Sequence, residues 1–187
     1  MTETKKAPNE IVRLAAILFA FAAVTALCLG LVNAITAPRI AEITAENTRL
    51  AMNAVLPYDG DYVEVEYPGD DPNVTGVFEA GEEGHVIQLS VSGSQGMVDM
   101  VVGVKADGSV SGIGITGHAE TPGLGAVAAA TTDAGNAFRE QFVGTTGGLT
   151  VDKDGGPIDS LTGATVTTRA VTVGVNSAVT AAALMGE

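Results

Sequence analysis

Tryptophan is absent from this sequence, and cysteine, histidine and basic residues are scarce. The one cysteine, Cys28, lies inside an apolar run, so no disulfide framework and no thiolate cluster for zinc or iron–sulfur is encoded. The two histidines, His85 and His118, stand far apart and without metal-ligand spacing. Redox chemistry by this chain would therefore need an organic cofactor. Lys and Arg number 9 against 22 Asp and Glu, and the imbalance is uneven. Residues 1–39 carry four basic and two acidic residues, whereas residues 40–187 carry five basic and twenty acidic ones. So acidic a region repels nucleic acid and anionic membrane surfaces. Solubility of a domain held near a membrane is enough to explain the charge. Also missing are a Ser–His–Asp arrangement, a Gly-rich phosphate loop with its Lys, paired catalytic carboxylates and any internal repeat.

What is present begins with Leu14–Ile35, 22 uncharged and mostly apolar residues in a row. As a helix they span about 33 Å, enough for the hydrocarbon core. Eleven of them are Leu, Ile, Val or Phe, which together favour insertion by roughly 3–7 kcal/mol. Lys5, Lys6 and Arg13 ahead of the run favour a cytoplasmic N-terminus and place the remainder outside. A cleaved signal peptide ending at Val32-Asn33-Ala34 is the rival, but its apolar core would be only about 7–15 residues long. A lipoprotein box is disfavoured because Leu27, before Cys28, is not small. Cys28 itself reads as a small apolar membrane residue.

Pro38 is expected to end or kink the span. Arg39–Val55 then reads as an amphipathic stalk helix with Ile40, Ile43, Leu50 and Ala54 on one face. Residues 57–73 are rich in Pro, Gly and Asp around one alternating stretch, Tyr62–Tyr67. Asn73-Val74-Thr75 fits a glycosylation sequon but is read as a turn. Val74–Ala80, His85–Val91, Met97–Lys105 and Val110–Ile115 are predicted strands, with hairpin turns at Glu82-Glu83-Gly84 and Asp107-Gly108. Ala126–Phe142 reads as helical in two pieces, with Phe138 and Phe142 on one face. Leu149–Val151 is expected to be a short strand. Thr167–Met185 closes the chain as a helix with a small-residue face of Ala170, Gly174, Ala178 and Ala181.

Two stretches carry chemistry. Asp159-Ser160-Leu161-Thr162-Gly163-Ala164-Thr165 is a side-chain-poor turn leading into that last helix. Gly163 and Ala164 allow close approach to the backbone, and Thr165 offers a hydroxyl where unpaired helix N–H groups favour a phosphate. About 45 residues upstream lies Glu120-Thr121-Pro122-Gly123-Leu124-Gly125. The first stretch, continued by Thr167-Thr168, resembles the flavinylation motif of the FMN-binding domain family of Rnf and Nqr electron-transport complexes. The second resembles another signature of that family. The likeness covers roughly residues 10–185 and is strongest to the G subunits of Rnf complexes.

The resemblance implies an α+β protein, with a single N-terminal transmembrane helix followed by an FMN-binding domain of antiparallel sheet and flanking helices. The expected division is 1–13 cytoplasmic, 14–35 transmembrane, 36–56 stalk and 57–187 extracytoplasmic FMN-binding domain. It implies FMN linked covalently through its phosphate to Thr165 by a dedicated flavin transferase that uses FAD. Asp159, Thr162, Gly163 and Ala164 fall on the motif's other positions, while Glu120, Thr121 and Leu124 would lie against the flavin. Ser94, in the Gly93–Gly96 turn, departs from the aromatic usual in the family. The implied function is electron relay within a membrane-bound, ion-translocating ferredoxin:NAD oxidoreductase, among other membrane subunits and without nucleic acid. On this likeness the chain works as the flavin-carrying subunit and has no complete catalytic activity alone. The C subunit of a sodium-translocating NADH:quinone reductase, a stand-alone extracytosolic flavoprotein and a non-flavinylated anchored binding module are the alternatives.

Overall fold

The computed structural model describes residues 8–186. Lys5 and Lys6 of the basic flank lie outside them. Two compact units meet between Glu46 and Asn47. A single helix, α1 (Pro8–Val55), supplies the described residues of the first unit and the opening of the second. Of the two outcomes expected at Pro38, an end or a kink, the first does not occur, because the helix continues through it. Proline removes one N–H from the ladder, yet the residues on both sides remain helical. Within the first unit the helix is long and apolar enough to cross a membrane, and its Leu, Ile and Phe side chains are exposed.

The second unit is built on a five-stranded antiparallel meander in the order β1-β2-β3-β4-β5. Its strands are β1 (Val63–Val65), β2 (Val74–Glu79), β3 (Gly84–Ser92), β4 (Met97–Lys105) and β5 (Val110–His118). Tight turns set the register. Val91 faces Val98 across the Gly93–Gly96 turn, and Val104 faces Val110 across the Asp107-Gly108 turn. There Asp107 accepts the Ser109 N–H at 2.9 Å, a side-chain-made turn. Of the sequon only Asn73 lies in a turn, just ahead of β2, where it donates its backbone and side-chain N–H groups to Asp71 at 2.9 Å each.

Both faces of the sheet are covered, which is why successive residues are buried without in-out alternation at Val86-Ile87 in β3 and at Met100–Val104 in β4. On one face, Ile87, Leu89, Met100 and Val102 pack with α2 (Asp133–Glu140) and α3 (Thr165–Met185), through Phe138, Val171, Val175, Ala178 and Ala181. Each such large side chain, fully buried, stabilises the fold by roughly 1.5–3 kcal/mol. Gly174 lets α3 sit close to the sheet, since a Cβ there would lie 2.6 Å from Met100 Sδ. Phe138 and Phe142 meet edge to face at 5.4 Å and fill the end of this core.

The other face, Val86 and Val101, is covered by Met52, Val55 and Leu56 from the end of α1. The stalk face predicted from Ile40, Ile43, Leu50 and Ala54 is not the buried one, because those four residues are exposed. Gly103, Gly112 and Gly114 leave room on the sheet for the stripe bearing Val55 instead. The expected strand at Leu149–Val151 is also absent. Only Val151 forms a bridge, parallel to Ile158, because Gly155 and Gly156 turn the chain back at once. Finally, α3 begins two residues earlier than expected, at Thr165 itself.

Candidate functional site

The turn ahead of α3 is closed by a hydrogen bond from the Ala164 N–H to the Leu161 carbonyl at 2.9 Å. Gly163 occupies its third position with φ +73°, a conformation other residues reach only at a cost. Ala164 is the N-cap of α3 and provides no side-chain acceptor. The N–H groups of the first helical turn therefore remain available to an anion. Thr168 fixes the turn from inside: its hydroxyl accepts the Leu161 N–H at 3.1 Å and donates to the Ala164 carbonyl at 3.0 Å.

The four clustered threonines thus have different fates. Thr167 and Thr168 are buried at 1% and 0% exposure, and both hydroxyls are engaged by the protein. Thr162 is exposed on the turn. Thr165 is half-buried at the first helical position, and its hydroxyl has no hydrogen-bond partner among the described residues. An unengaged hydroxyl beside free helix N–H groups is what a phosphoester attachment requires.

The second stretch comes to the same place. In the 120–125 loop, the Thr121 carbonyl accepts the Leu124 N–H at 3.1 Å, and Gly123 has φ +77°. Leu124 is 43% exposed yet lies over the turn ahead of α3, for a Cβ at Gly163 would meet its Cδ2 at 3.0 Å. Thr121 is exposed in this loop. With Val166, Leu124 leaves exposed apolar surface on either side of Thr165 in sequence. A phosphate on the helix start and a flat, largely apolar ring beside it suit these residues.

Glu120 behaves differently from its loop neighbours. It is 6% exposed, and both carboxylate oxygens are taken by the protein. Oε1 accepts the Ser94 N–H at 2.7 Å and the Gln95 N–H at 3.1 Å, while Oε2 accepts the Thr167 hydroxyl at 2.7 Å. Burial opposes its ionisation, but the donors from Thr167, Gln95 and Ser94 outweigh burial and hold the carboxyl below its ordinary value. The exposed His118 accepts the Glu120 backbone N–H at its Nδ1, 3.2 Å away. Sequence reasoning missed Thr167 and the Gly93–Gly96 turn as partners of Glu120. They lie 47 and about 25 residues away in the chain, and no local pattern links them.

Asp159 is exposed at the entry to the turn ahead of α3, and its carboxylate makes no hydrogen bond among the described residues. Its backbone is held by the Gln141 side chain, which accepts the Asp159 N–H at 2.7 Å and donates to its carbonyl at 3.3 Å. Next to it, Asp152 accepts both the hydroxyl and the N–H of Ser160. The Ser160 hydroxyl is the main reason the Asp152 carboxyl is lowered to about 2. Arg169 pairs with Asp154 through two bonds of 2.7 Å. Gln141, Asp152 and Arg169 are supports that the sequence did not single out. A groove of about 360 Å³, lined by Ala51, Val55, Gly112, Ile115, Arg139 and Val143 among others, shares none of the residues of this site. No group of three or more His, Cys, Asp and Glu able to hold a metal ion occurs among the described residues.

Comparison with known proteins agrees with this geometry. Residues 93–180 match the FMN-binding domain family, and residues 1–55 match the family of RnfG N-terminal regions. The chain is 33% identical to the G subunit of the Na(+)-translocating ferredoxin:NAD(+) oxidoreductase complex of Acetobacterium woodii, over 89% of each chain. It is 31% identical to the G subunit of the ion-translocating oxidoreductase complex of Methanosarcina acetivorans, over 91% of this chain and 94% of that one. Against the protein of the same name from Pseudomonas aeruginosa the identity is 32%, over 91% of this chain and 87% of that one.

Proposed function

Because this chain belongs to the family of G subunits of ion-translocating oxidoreductase complexes, we propose that it is the flavin-carrying electron relay of such a complex. The complex is of the Rnf type, passing electrons between ferredoxin and NAD and coupling them to ion translocation. The flavin is FMN, joined by a phosphodiester to Thr165. FMN supplies the redox chemistry; the chain supplies attachment, orientation and surroundings. The observation that carries the reading is the unengaged Thr165 hydroxyl at the uncapped start of α3, in the one threonine of the cluster that is neither committed inward nor outside the helix.

The other residues take distinct parts. Gly163 and Ala164 keep the approach to Thr165 free of bulk. Leu124, lying on Gly163, and Thr121 and Thr162 on the exposed loops are the surface offered to the isoalloxazine. Asp159, with its carboxylate turned to solvent, is a recognition point for the flavin transferase. Glu120 belongs to the same loop and serves it from within. Residues 14–35 span the cytoplasmic membrane, residues 1–13 are cytoplasmic and residues 36–56 form a stalk. Residues 57–187 work on the extracytoplasmic face among the other membrane subunits. The chain alone completes no catalytic cycle.

Co-expression with the flavin transferase tests the reading. The peptide holding Thr165 should gain the mass of FMN less water, and the band should fluoresce after denaturing electrophoresis. Thr165→Ala should lose both signals while Thr162→Ser keeps them; Asp159→Ala should lower incorporation in a folded domain. Flavin still attached in Thr165→Ala would overturn the assignment.

A further inference from the structure

Glu120 is a nearly buried carboxylate with no cationic partner among the described residues; the ion pairs there are Arg39–Glu42, Lys153–Asp152 and Arg169–Asp154. Three neutral donors compensate it, and they come from two separate segments: the β3–β4 turn through Ser94 and Gln95, and the first turn of α3 through Thr167. Gly125 leaves the room for this, since a Cβ there would collide with both Glu120 Oε2 and Thr167 Oγ1. Leaving a buried carboxylate short of a donor is costly, so the three segments are tied together as a set.

The start of α3 has no side-chain cap, because the N-cap is Ala164. A helix usually locates its first turn with a capping Ser, Thr, Asp or Asn. Here such a cap would compete with a phosphate for the same N–H groups. The position of the first turn is instead fixed from the interior, by Glu120 on Thr167 and by Thr168 on the Leu161 N–H and the Ala164 carbonyl. Thr165 lies two residues from Thr167 in that turn.

We infer that Glu120 is a positioning residue for flavin attachment: by holding the Thr167 hydroxyl it sets the place of the Thr165 oxygen without touching the flavin. This rests on Thr165 being the acceptor. In the attachment step the Thr165 Oγ–P bond forms to the FMN phosphorus of FAD as the pyrophosphate P–O bond breaks. AMP leaves, and the hydroxyl proton goes to solvent; nothing is oxidised or reduced. Displacement of a reacting atom by about 1 Å can cost about 10²-fold in rate, so the effect should fall on the rate of transfer rather than on recognition of the chain.

The experiment follows flavin transfer from FAD to the purified full-length chain by the purified transferase, read by mass and fluorescence. Glu120→Gln removes the charge and leaves one acceptor oxygen in place of two, so the turn N–H groups and the Thr167 hydroxyl can no longer all donate to this side chain, and Thr167→Val removes the hydroxyl at nearly constant shape. Each should lower kcat for transfer at least tenfold, with KM for the chain changed by less than about twofold. Thr167→Ser should restore the rate, and the Glu120→Gln/Thr167→Val double variant should be no slower than the slower single variant. Should Glu120→Gln fail to fold, Thr167→Val against Thr167→Ser decides alone. Wild-type kcat in Thr167→Val, a KM effect in place of a kcat effect, or losses that multiply in the double variant would overturn the inference. A wild-type chain that takes no flavin at Thr165 overturns the proposed function and this inference with it. A wild-type chain labelled at Thr165, with both variants labelled as fast, overturns this inference alone.

Discussion

The two long helices of this protein are both rich in apolar residues, yet they spend them differently. In the Leu14–Ile35 part of α1 the apolar side chains are large, point in every direction and lie exposed, Phe19 at 76% and Leu27 at 74%. In α3 they are mostly small, Ala170, Gly174, Ala178 and Ala181, and buried against a sheet. A helix apolar all round needs apolar surroundings on every side, a large core or a membrane. One with a stripe of small residues needs a close, shaped partner. Side-chain size and arrangement, more than total hydrophobicity, separate the exposed apolar helix from the core element here.

Truncation should expose the contrast most strongly. Phe142 is fully buried against Phe138, so Phe142→Ala should destabilise the folded domain by about 3–5 kcal/mol in urea unfolding. Phe19→Ala in detergent should leave the same transition unmoved. An equal loss in both would mean that the core beneath α3 and the Leu14–Ile35 stretch are not packed differently as described.

Enlarging a glycine gives a second, smaller contrast. A Cβ at Gly174 meets Met100 Sδ at 2.6 Å, whereas one at Gly30 meets nothing within 4 Å. Gly174→Leu should cost about 1–3 kcal/mol through overpacking, and Gly30→Leu should leave the domain's melting temperature unchanged. A harmless Gly174→Leu would show that α3 has slack against the sheet.

Acid gives the smallest effect and sharpens the comparison electrostatically. Leu14–Ile35 carries no charge, so acid sensitivity belongs to the folded domain. Asp152, held mainly by the Ser160 hydroxyl, has its carboxyl lowered from 3.8 to about 2. A carboxyl lowered by folding stabilises fully above its ordinary value, and that stabilisation is lost as pH falls from near 3.8 through about 2. Asp152→Asn should flatten stability over this window while leaving it little changed in shape above pH 5. An unchanged acid limb would remove Asp152 as the link between the 152–154 turn and the attachment turn.

Much of this was legible in the chain because the signals are local. An uncharged run of 22 residues has one economical environment. Alternating valines broken by Asp107-Gly108 have one economical pairing. A small-residue turn before a threonine-rich helix start is visible in ten residues. Where the reading went wrong, a local rule met a non-local partner. Pro38 was expected to end or kink the span, and it does not end it, since a helix survives one missing N–H. The stalk's buried stripe depended on three glycines about fifty residues away in β4 and β5, at Gly103, Gly112 and Gly114. A strand at Leu149–Val151 had no second strand to join beyond the single bridge to Ile158.

The sequence by itself determined the long apolar helix, the sheet and the places of the two side-chain-poor turns, because hydrophobic period and turn chemistry act over a few residues at a time. The tertiary structure alone decided that Leu124 would lie on Gly163, that Thr167 and Thr168 would turn inward while Thr165 stayed unengaged, and that Glu120 would bind the turn at 93–96 to the start of α3. The physical reason is that a buried carboxylate must find its donors wherever the fold delivers them, here 25 to 47 residues along the chain.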